Sequence, residues 1–265
     1  MHAADPNAEA GRAGSHGGGG PDDGPGPPPA DPGPHGADAL GVALGGTRVA
    51  LLAARALWWP DERTLFVADL HLGKAETFRA LGVPVPDGPT VATLRRLDAL
   101  VRARDAQRVV VLGDLLHARQ AHAPATLGPL AAWRDAHPRL ACVLVRGNHD
   151  DHAGEPPAAL GIACVDPGSP LGPFRLHHAP APQAGGGPPG DGHRLCGHVH
   201  PAVRLRGRAG DSIRLRCFVV GRGQTVLPAF GDFTGAACVT RGPDRRLVAI
   251  AGERVFELPR VGTPA

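Results

Sequence analysis

The stretch LFVADLH, residues 65–71, sets an apolar run directly before two side chains of the metal-binding type. Residues 65–68 are short, apolar and β-type, which predicts a buried strand. The same arrangement returns in VLGDLLH (111–117), VRGNHD (145–150), RLHHAP (175–180) and CGHVH (196–200). Since side chains that follow buried strands converge at the strand ends, the five segments together predict one site.

The pattern between these segments predicts an α/β chain. Apolar runs that predict strands occupy residues 65–68, 109–112, 142–145, 174–176, 194–196 and 217–220. Apolar residues at helical spacing predict one helix over 91–104 and a shorter one over 126–135. The Gly and Pro cluster at 180–192 predicts a surface loop.

The first 44 residues differ in composition from the rest of the chain. They are rich in Gly, Pro, Ala and Asp and hold almost no large apolar side chains. Such a segment buries too little surface to offset the entropy of ordering, so we expect a disordered tail over 1–44 and one domain over 45–260. A start site assigned too early is the alternative, because Met1 is the only methionine.

Composition also bears on compartment and substrate. No apolar run approaches the roughly 20 residues of a membrane span, no secretory signal is present, and the five cysteines show no CxxC pairing. These features favour a cytoplasmic protein with reduced thiols. Residues 45–265 hold 27 basic and 19 acidic side chains, a surplus of +8 that favours polyanionic substrates. A genomic bias toward arginine explains the surplus equally well.

Chemistry accounts for the residue types in the five segments. Two cations about 3.5 to 4 Å apart can clamp a phosphoryl group, but they need a bridging carboxylate and mixed imidazole and oxygen donors. Asp114 is the natural bridge. We assign one ion to Asp69, His71 and His200, with Asp69 and His71 on an extended segment, and the other to Asn148, His178 and His198.

Three neighbouring residues complete the predicted site. Asn148 is a neutral oxygen donor, which limits the negative charge and lets a phosphate approach. His149 is then free to act as the general acid that protonates the leaving oxygen. Asp150 is expected to orient or tune His149.

The motifs D-x-H, GD, GNHD, H and GHxH, in this order over residues 65–200, resemble the calcineurin-like metallophosphoesterase superfamily. The resemblance implies a four-layer α/β sandwich of two mixed β-sheets flanked by helices. It also implies a dinuclear Mn, Fe or Zn centre and hydrolysis of phosphate esters by metal-bound hydroxide.

A narrower resemblance covers nearly all of residues 48–240, through stretches such as GDLLH, CGHVHPAV and LPAFGDFTG. They are similar to the bacterial DNA ligase-associated metallophosphoesterases. That family implies a DNA phosphodiester substrate, Mn²⁺ as the metal, and an ATP-dependent DNA ligase, a helicase and an exonuclease-like protein as partners. Its pattern selects His178 over His177 as the ligand. His117 stands where many members of the wider superfamily have an acidic residue, which implies an outer position at the site.

Four basic residues are candidate contacts for phosphate. Arg204 and Arg206 share one face of a predicted hairpin that begins just after His200, and a solvated hairpin is the alternative. Lys74 and Arg79 follow the first motif, where a structural role in the helix start is equally plausible.

The leading functional hypothesis is a metal-dependent endonuclease acting on single-stranded or damaged DNA in repair. A phosphoesterase acting on a nucleotide or cyclic nucleotide is the second hypothesis, because the same centre would handle both substrates. A non-catalytic binding module of the same fold is the third, and the intact ligand set argues against it.

Overall fold

The computed structural model describes residues 37–85, 88–182, 192–207 and 210–260. Most of the predicted tail and of the 180–192 loop lies outside these residues. The predicted tail boundary at residue 44 is wrong, because the first strand, β1, spans Ala39–Leu44. It pairs with the next strand and buries Ala39, Val42 and Leu44.

The first sheet is mixed and has seven strands in sequence order. Its first four strands pair antiparallel and its last four pair parallel. After β1, the strands are β2 (Thr47–Leu52), β3 (Ala56–Trp59), β4 (Thr64–Val67), β5 (Arg108–Val111), β6 (Ala141–Val145) and β7 (Ile162–Val165). The runs predicted at 65–68, 109–112 and 142–145 are β4, β5 and β6.

The second sheet is also mixed and holds the remaining nine strands. They are β8 (Ser169–Leu171), β9 (Phe174–Leu176), β10 (His193–Cys196), β11 (Pro201–Arg206), β12 (Ser212–Gly221), β13 (Gln224–Val226), β14 (Ala237–Cys238), β15 (Arg245–Ala251) and β16 (Arg254–Glu257). Their order is β14-β11-β12-β13-β10-β9-β8, and β15 joins β12 to β16. β11 and β12 form the predicted basic hairpin, with Arg204 opposite Arg214.

Alternation along the strands divides the core into layers. In β5, Val109 and Val111 face one apolar cluster while Val110 faces another, as the two-residue period of a strand requires. The first cluster packs sheet one against helices, and the second packs the two sheets together. The helices are α1 (Lys74–Ala80), α2 (Pro89–Arg104), α3 (Pro124–Ala136) and α4 (Asn148–Ala153), with 3₁₀ turns at Arg119–His122 and Ala158–Leu160.

The predicted fold class, two mixed sheets with helices, is confirmed. One detail differs: in the described residues, the outer face of sheet two carries a small cluster of strand residues with Leu258, and no helix covers it. None of the helices in the described ranges is long and apolar enough to cross a membrane.

Candidate metal centre

The centre lies where the parallel strands of sheet one end. β4 and β5 pair in register, and their pairing continues past the strands, because the N–H of His71 donates to the Asp114 carbonyl at 2.9 Å. The loop after β10 joins this edge through the N–H of His198, which donates to the Asp69 carboxylate at 2.9 Å. The chain therefore brings segments that are 129 residues apart into direct contact.

The backbone at the centre is in an unusual conformation. Eight non-glycine residues of the described chain have positive φ, and five of them are predicted ligands: Asp69, His71, Asp114, His198 and His200. The expectation that Asp69 and His71 lie on an extended segment is wrong, since their φ angles are 54° and 47°. Left-handed backbone costs energy for such residues and concentrates at functional sites.

The first group of candidate ligands is Asp69, His71 and His200. The two Nε2 atoms of His71 and His200 are 3.3 Å apart, and His200 Nε2 lies 3.5 Å from Asp69 Oδ1. Asp69 is fully buried and His71 nearly so. A buried carboxylate and two imidazoles therefore face one point.

The second group is Asp114, His178 and His198. His178 donates its Nδ1–H to the Leu112 carbonyl at 2.9 Å, and this bond leaves a lone pair on Nε2. That Nε2 faces Asn148 Oδ1 at 2.9 Å and His198 Nδ1 at 3.0 Å. An outer-shell bond to a backbone carbonyl is the usual way in which a ligating histidine is oriented.

Asp114 lies between the two groups. Its Oδ2 is 3.6 Å from His71 Nε2, and its Oδ1 is 3.4 Å from His178 Nε2. Oδ1 also accepts the backbone N–H of His149 at 3.0 Å. One carboxylate thus reaches both groups, which is the position predicted for a bridge.

Burial keeps two imidazoles at the centre, those of His71 and His117, neutral. Burial, with the charges of His200, His149 and Lys74, lowers the pKa of His71 to about 2. Burial and the charge of Lys74 lower the pKa of His117 to about 4. Burial raises the pKa of Asp114, opposed by His178. Metal binding requires a neutral imidazole, and with this pKa the His71 side chain is neutral at pH 7.

His149 lies beside the first group, with its ring 4.8 Å from the His71 ring. Its Nδ1–H donates to the His117 carbonyl at 2.7 Å, and the His117 ring stacks on it at 4.8 Å. His117 Nδ1 is also 3.3 Å from His71 Nδ1. His117 thus contacts both a candidate ligand and the candidate acid.

Asp150 does not orient His149 as expected. Its carboxylate accepts the backbone N–H groups of Gly147, Asp114 and Leu115 at 2.8 to 3.1 Å. Burial raises its pKa to about 6. The first turn of α4 directs this side chain toward the β5 loop, so Asp150 fixes the position of Asp114 and not the His149 ring.

The structure places the four predicted phosphate contacts in different surroundings. Lys74 is half-buried beside the centre, and Asp114 opposes the burial that lowers its pKa. Arg79 is bound to Glu76 and to the Val85 carbonyl, each at 3.2 Å, and stays with its own helix. Arg204 and Arg206 are exposed on β11. His178, not His177, reaches the centre.

Sequence reasoning missed the glycines that precede the ligands. A Cβ on Gly113 would lie 2.2 Å from His178 Nδ1, one on Gly147 2.5 Å from Asp114 Oδ1, and one on Gly197 2.5 Å from Asp69 Oδ2. Their signal was visible, since each stands directly before Asp114, Asn148 or His198. Only a residue without a side chain leaves room for the carboxylates and imidazoles.

The residues present fit divalent metal ions. Imidazole nitrogens about 2.1 Å from a shared ion lie roughly 3.0 Å apart when they meet it at a right angle. The observed pairs are 3.3 Å and 3.0 Å apart. The donors are imidazole, carboxylate and amide, a set that suits Mn, Fe or Zn, and the described clusters contain no cysteine.

Comparison with known proteins agrees with the geometry. The family model for calcineurin-like phosphoesterases matches residues 62–198. The protein in the crystal structure of Pseudomonas putida nuclease MPE is 44% identical to this chain in sequence. The match covers 83% of this chain and 100% of the nuclease chain, with a TM-score of 0.70. A phosphoesterase from E. coli, Yfce, is 15% identical over 74% of this chain and 97% of its own, with a TM-score of 0.35. No curated protein matches the sequence. The chain therefore belongs to the calcineurin-like phosphoesterase family and is a metal-dependent phosphoester hydrolase.

Proposed function

We propose that the chain is a two-metal phosphodiesterase that cuts single-stranded or damaged DNA during repair. The observation that carries this proposal is the position of Asp114, whose two oxygens lie within 3.4 to 3.6 Å of one imidazole from each group. A single carboxylate shared in this way holds two ions close together. The 44% identical structure is a nuclease, which favours a nucleic acid as the substrate.

Each group would hold one ion. Asp69, His71 and His200 would take the first, and Asn148, His178 and His198 the second, with Asp114 between them. Two divalent cations supply Lewis acidity toward the phosphoryl group and lower the pKa of a coordinated water. We propose Mn²⁺ as the physiological metal, as the resemblance to the ligase-associated family implies, and the oxygen and imidazole donors are compatible with it.

The residues around the ligands would handle the substrate. His149 is held by the His117 carbonyl through Nδ1, which leaves Nε2 to protonate the departing oxygen. Lys74 adds a positive charge beside the centre, where a non-bridging phosphate oxygen would lie. Arg204 and Arg206 on the exposed hairpin would contact flanking phosphates.

The test is hydrolysis of two diesters by the full chain with Mn²⁺: bis-p-nitrophenyl phosphate and a labelled circular single-stranded DNA. We expect both to be cleaved, and Asp114→Asn to lose both activities. A chain that hydrolyses the small diester and leaves the circle intact refutes the endonuclease. Loss of one metal per chain in His178→Ala, measured by elemental analysis, checks the division of ligands.

The resemblance to the ligase-associated family also leads us to propose an ATP-dependent ligase, a helicase and an exonuclease-like protein as partners. Co-purification of the tagged chain with each recombinant partner tests this. No binding at micromolar concentration would remove that part of the proposal.

A further inference from the structure

A cleft of about 770 Å³ opens beside the metal centre and has no part in the function proposed above. Ligand pockets commonly measure roughly 300 to 1,000 Å³. The basic lining comes from three separate elements, the turn before β3, helix α2 and strand β12. The charged lining residues are Arg55, Arg96, Arg104, Arg214 and Arg216, against Asp38 and Glu253.

The deep wall of the cleft concentrates positive charge. Arg55 and Arg96 share the single carboxylate of Asp232, at 3.2 and 2.6 Å. Arg216 is held by neutral groups, the Ala229 carbonyl and Thr234. Burial, together with the charges of Arg96 and Arg216, lowers the pKa of Arg55 to about 10. The Nε of Arg96 is buried and has no hydrogen-bond partner. Three guanidinium groups therefore face one carboxylate at this wall, and the excess positive charge favours binding of an anion.

The mouth of the cleft carries two more arginines that are weakly engaged. Arg104 reaches Asp38 only at 3.5 Å. Arg214 is exposed on β12, and the described residues offer its guanidinium no hydrogen bond or ion pair. Both can therefore turn toward a ligand without breaking a strong contact.

The cleft opens at the same edge of the fold as the metal centre. Leu57 pairs with Phe66, so Arg55, just before β3, lies beside the end of β4 from which Asp69 follows. The segment after β13 separates the two sites: the N–H of Gly231 donates to the Asp69 carbonyl, while its own carbonyl accepts from Arg55. A single backbone segment, at Gly231, therefore separates Arg55 in the cleft from the candidate ligand Asp69.

The hairpin links the two sites on the surface. Arg214 lies opposite Arg204, which is four residues after His200, a distance of roughly 13 Å along a strand. Arg204 and Arg214 face the same side of the hairpin because they are directly paired. A basic surface therefore runs from the metal centre to the cleft.

We propose that the cleft binds backbone phosphates of the substrate strand outside the cleavage point. The proposal rests on the nuclease function above and gives the strand a direction, from the metal centre over the hairpin into the cleft. Guanidinium forks match phosphate oxygens bidentately, and several of them in one cleft suit a polyanion better than a single ion.

Binding without cleavage tests the proposal. The full chain in EDTA is titrated into a labelled single-stranded oligonucleotide, followed by fluorescence anisotropy. We expect the double variant Arg104→Gln/Arg214→Gln to bind about tenfold more weakly. The slope of the logarithm of the binding constant against the logarithm of the salt concentration should become less steep by about 1.4, as the loss of two single-strand phosphate contacts requires. Arg222→Gln, directly after the other end of β12, is the matched control and should bind like the wild type. If the double variant folds poorly, Arg214→Gln alone should weaken binding about threefold.

The other outcomes overturn the proposal in distinguishable ways. Unchanged oligonucleotide affinity in the double variant refutes it. Lost binding of inorganic pyrophosphate, with unchanged oligonucleotide affinity, would mean that the cleft takes a small phosphate compound. A parallel loss of bis-p-nitrophenyl phosphate hydrolysis would mean that the substitutions disturb the metal centre. A wild type that binds the oligonucleotide through these arginines but never cuts DNA refutes the nuclease and leaves the cleft standing.

Discussion

His149 donates its Nδ1–H to the backbone carbonyl of His117 at 2.7 Å, and the two rings stack with an interplanar angle of 24°. The bond fixes which nitrogen of His149 faces away from the protein backbone. The stack limits how the ring can turn. The two contacts together hold the His149 ring in one orientation, as a positioned general acid requires.

The first prediction concerns His149→Ala. Removing a general acid costs about 10²- to 10⁴-fold when the leaving oxygen needs a proton, as the sugar oxygen of DNA does. The p-nitrophenolate group leaves without one, so hydrolysis of bis-p-nitrophenyl phosphate should fall far less. Both rates are measured at saturating Mn²⁺ with metal content checked. Equal losses on the two substrates would contradict the acid role.

The second prediction separates the His117 ring from its carbonyl. His117→Ala removes the stack and the 3.3 Å approach to His71 while the carbonyl stays, so we expect kcat on DNA to fall about tenfold with little change in KM. His117→Phe restores the stack and should recover part of the loss. A Phe variant as slow as the Ala variant would show that the nitrogen, and not the stack, matters.

The third prediction concerns metal removal. Asp69 and Asp114 are buried within one centre, and burial raises the pKa of Asp114. Buried charge is costly when it lacks a counterion. Mn²⁺ at a thousand times its Kd should therefore stabilise the fold by about 4 kcal/mol. Differential scanning calorimetry with Mn²⁺ and with EDTA measures the shift in Tm.

Asp114→Asn is the control for that experiment. It removes one buried charge and keeps an oxygen for the His149 N–H, so in EDTA we expect a higher Tm than that of the wild type. With Mn²⁺ the order should reverse. A variant that is less stable in both conditions would mean that Asp114 is a structural residue.

The fourth prediction concerns the glycine before His198. In Gly197→Ala the new Cβ would lie 2.5 Å from Asp69 Oδ2 and 2.6 Å from Ala68 Cβ, so the β10 loop must move. Overpacking of this kind costs about 1 to 3 kcal/mol. We expect metal binding and diesterase activity to be lost together.

Gly128→Ala is the matched substitution, because a Cβ there meets nothing within 4 Å and the residue lies inside α3. It should stabilise the chain by about 0.5 to 1 kcal/mol and keep full activity. Full metal binding in Gly197→Ala would show that the loop has room to spare.

These residues also show how far the sequence predicts the molecule. Apolar runs before Asp69, Asp114 and Asn148 predict both the strands and the site, because burial and strand ends leave a local pattern. The expected contact between Asp150 and His149 is absent because adjacency in sequence does not determine which way a helical turn directs a side chain. The cleft with five arginines could not be predicted from the sequence either, because its arginines come from elements up to 161 residues apart and meet only after the sheets form.

The fifth prediction concerns acid stability and lies away from the metal centre. His193 is buried in β10, with Nε2 2.9 Å from Thr225 Oγ1, and burial lowers its pKa to about 4 from 6.5. The unfolded chain therefore binds a proton more readily than the folded chain, so stability from this group is complete above pH 6.5 and declines as the pH falls toward 4. At pH 5.5 the loss amounts to about 1.4 kcal/mol.

In His193→Gln the side chain does not titrate. On going from pH 7.5 to pH 5.5, the free energy of unfolding of this variant, measured by urea titration in EDTA, should therefore fall by about 1.4 kcal/mol less than that of the wild type. If acidification costs both proteins the same, the His193 imidazole is protonated in the folded state without penalty, and burial does not set its pKa.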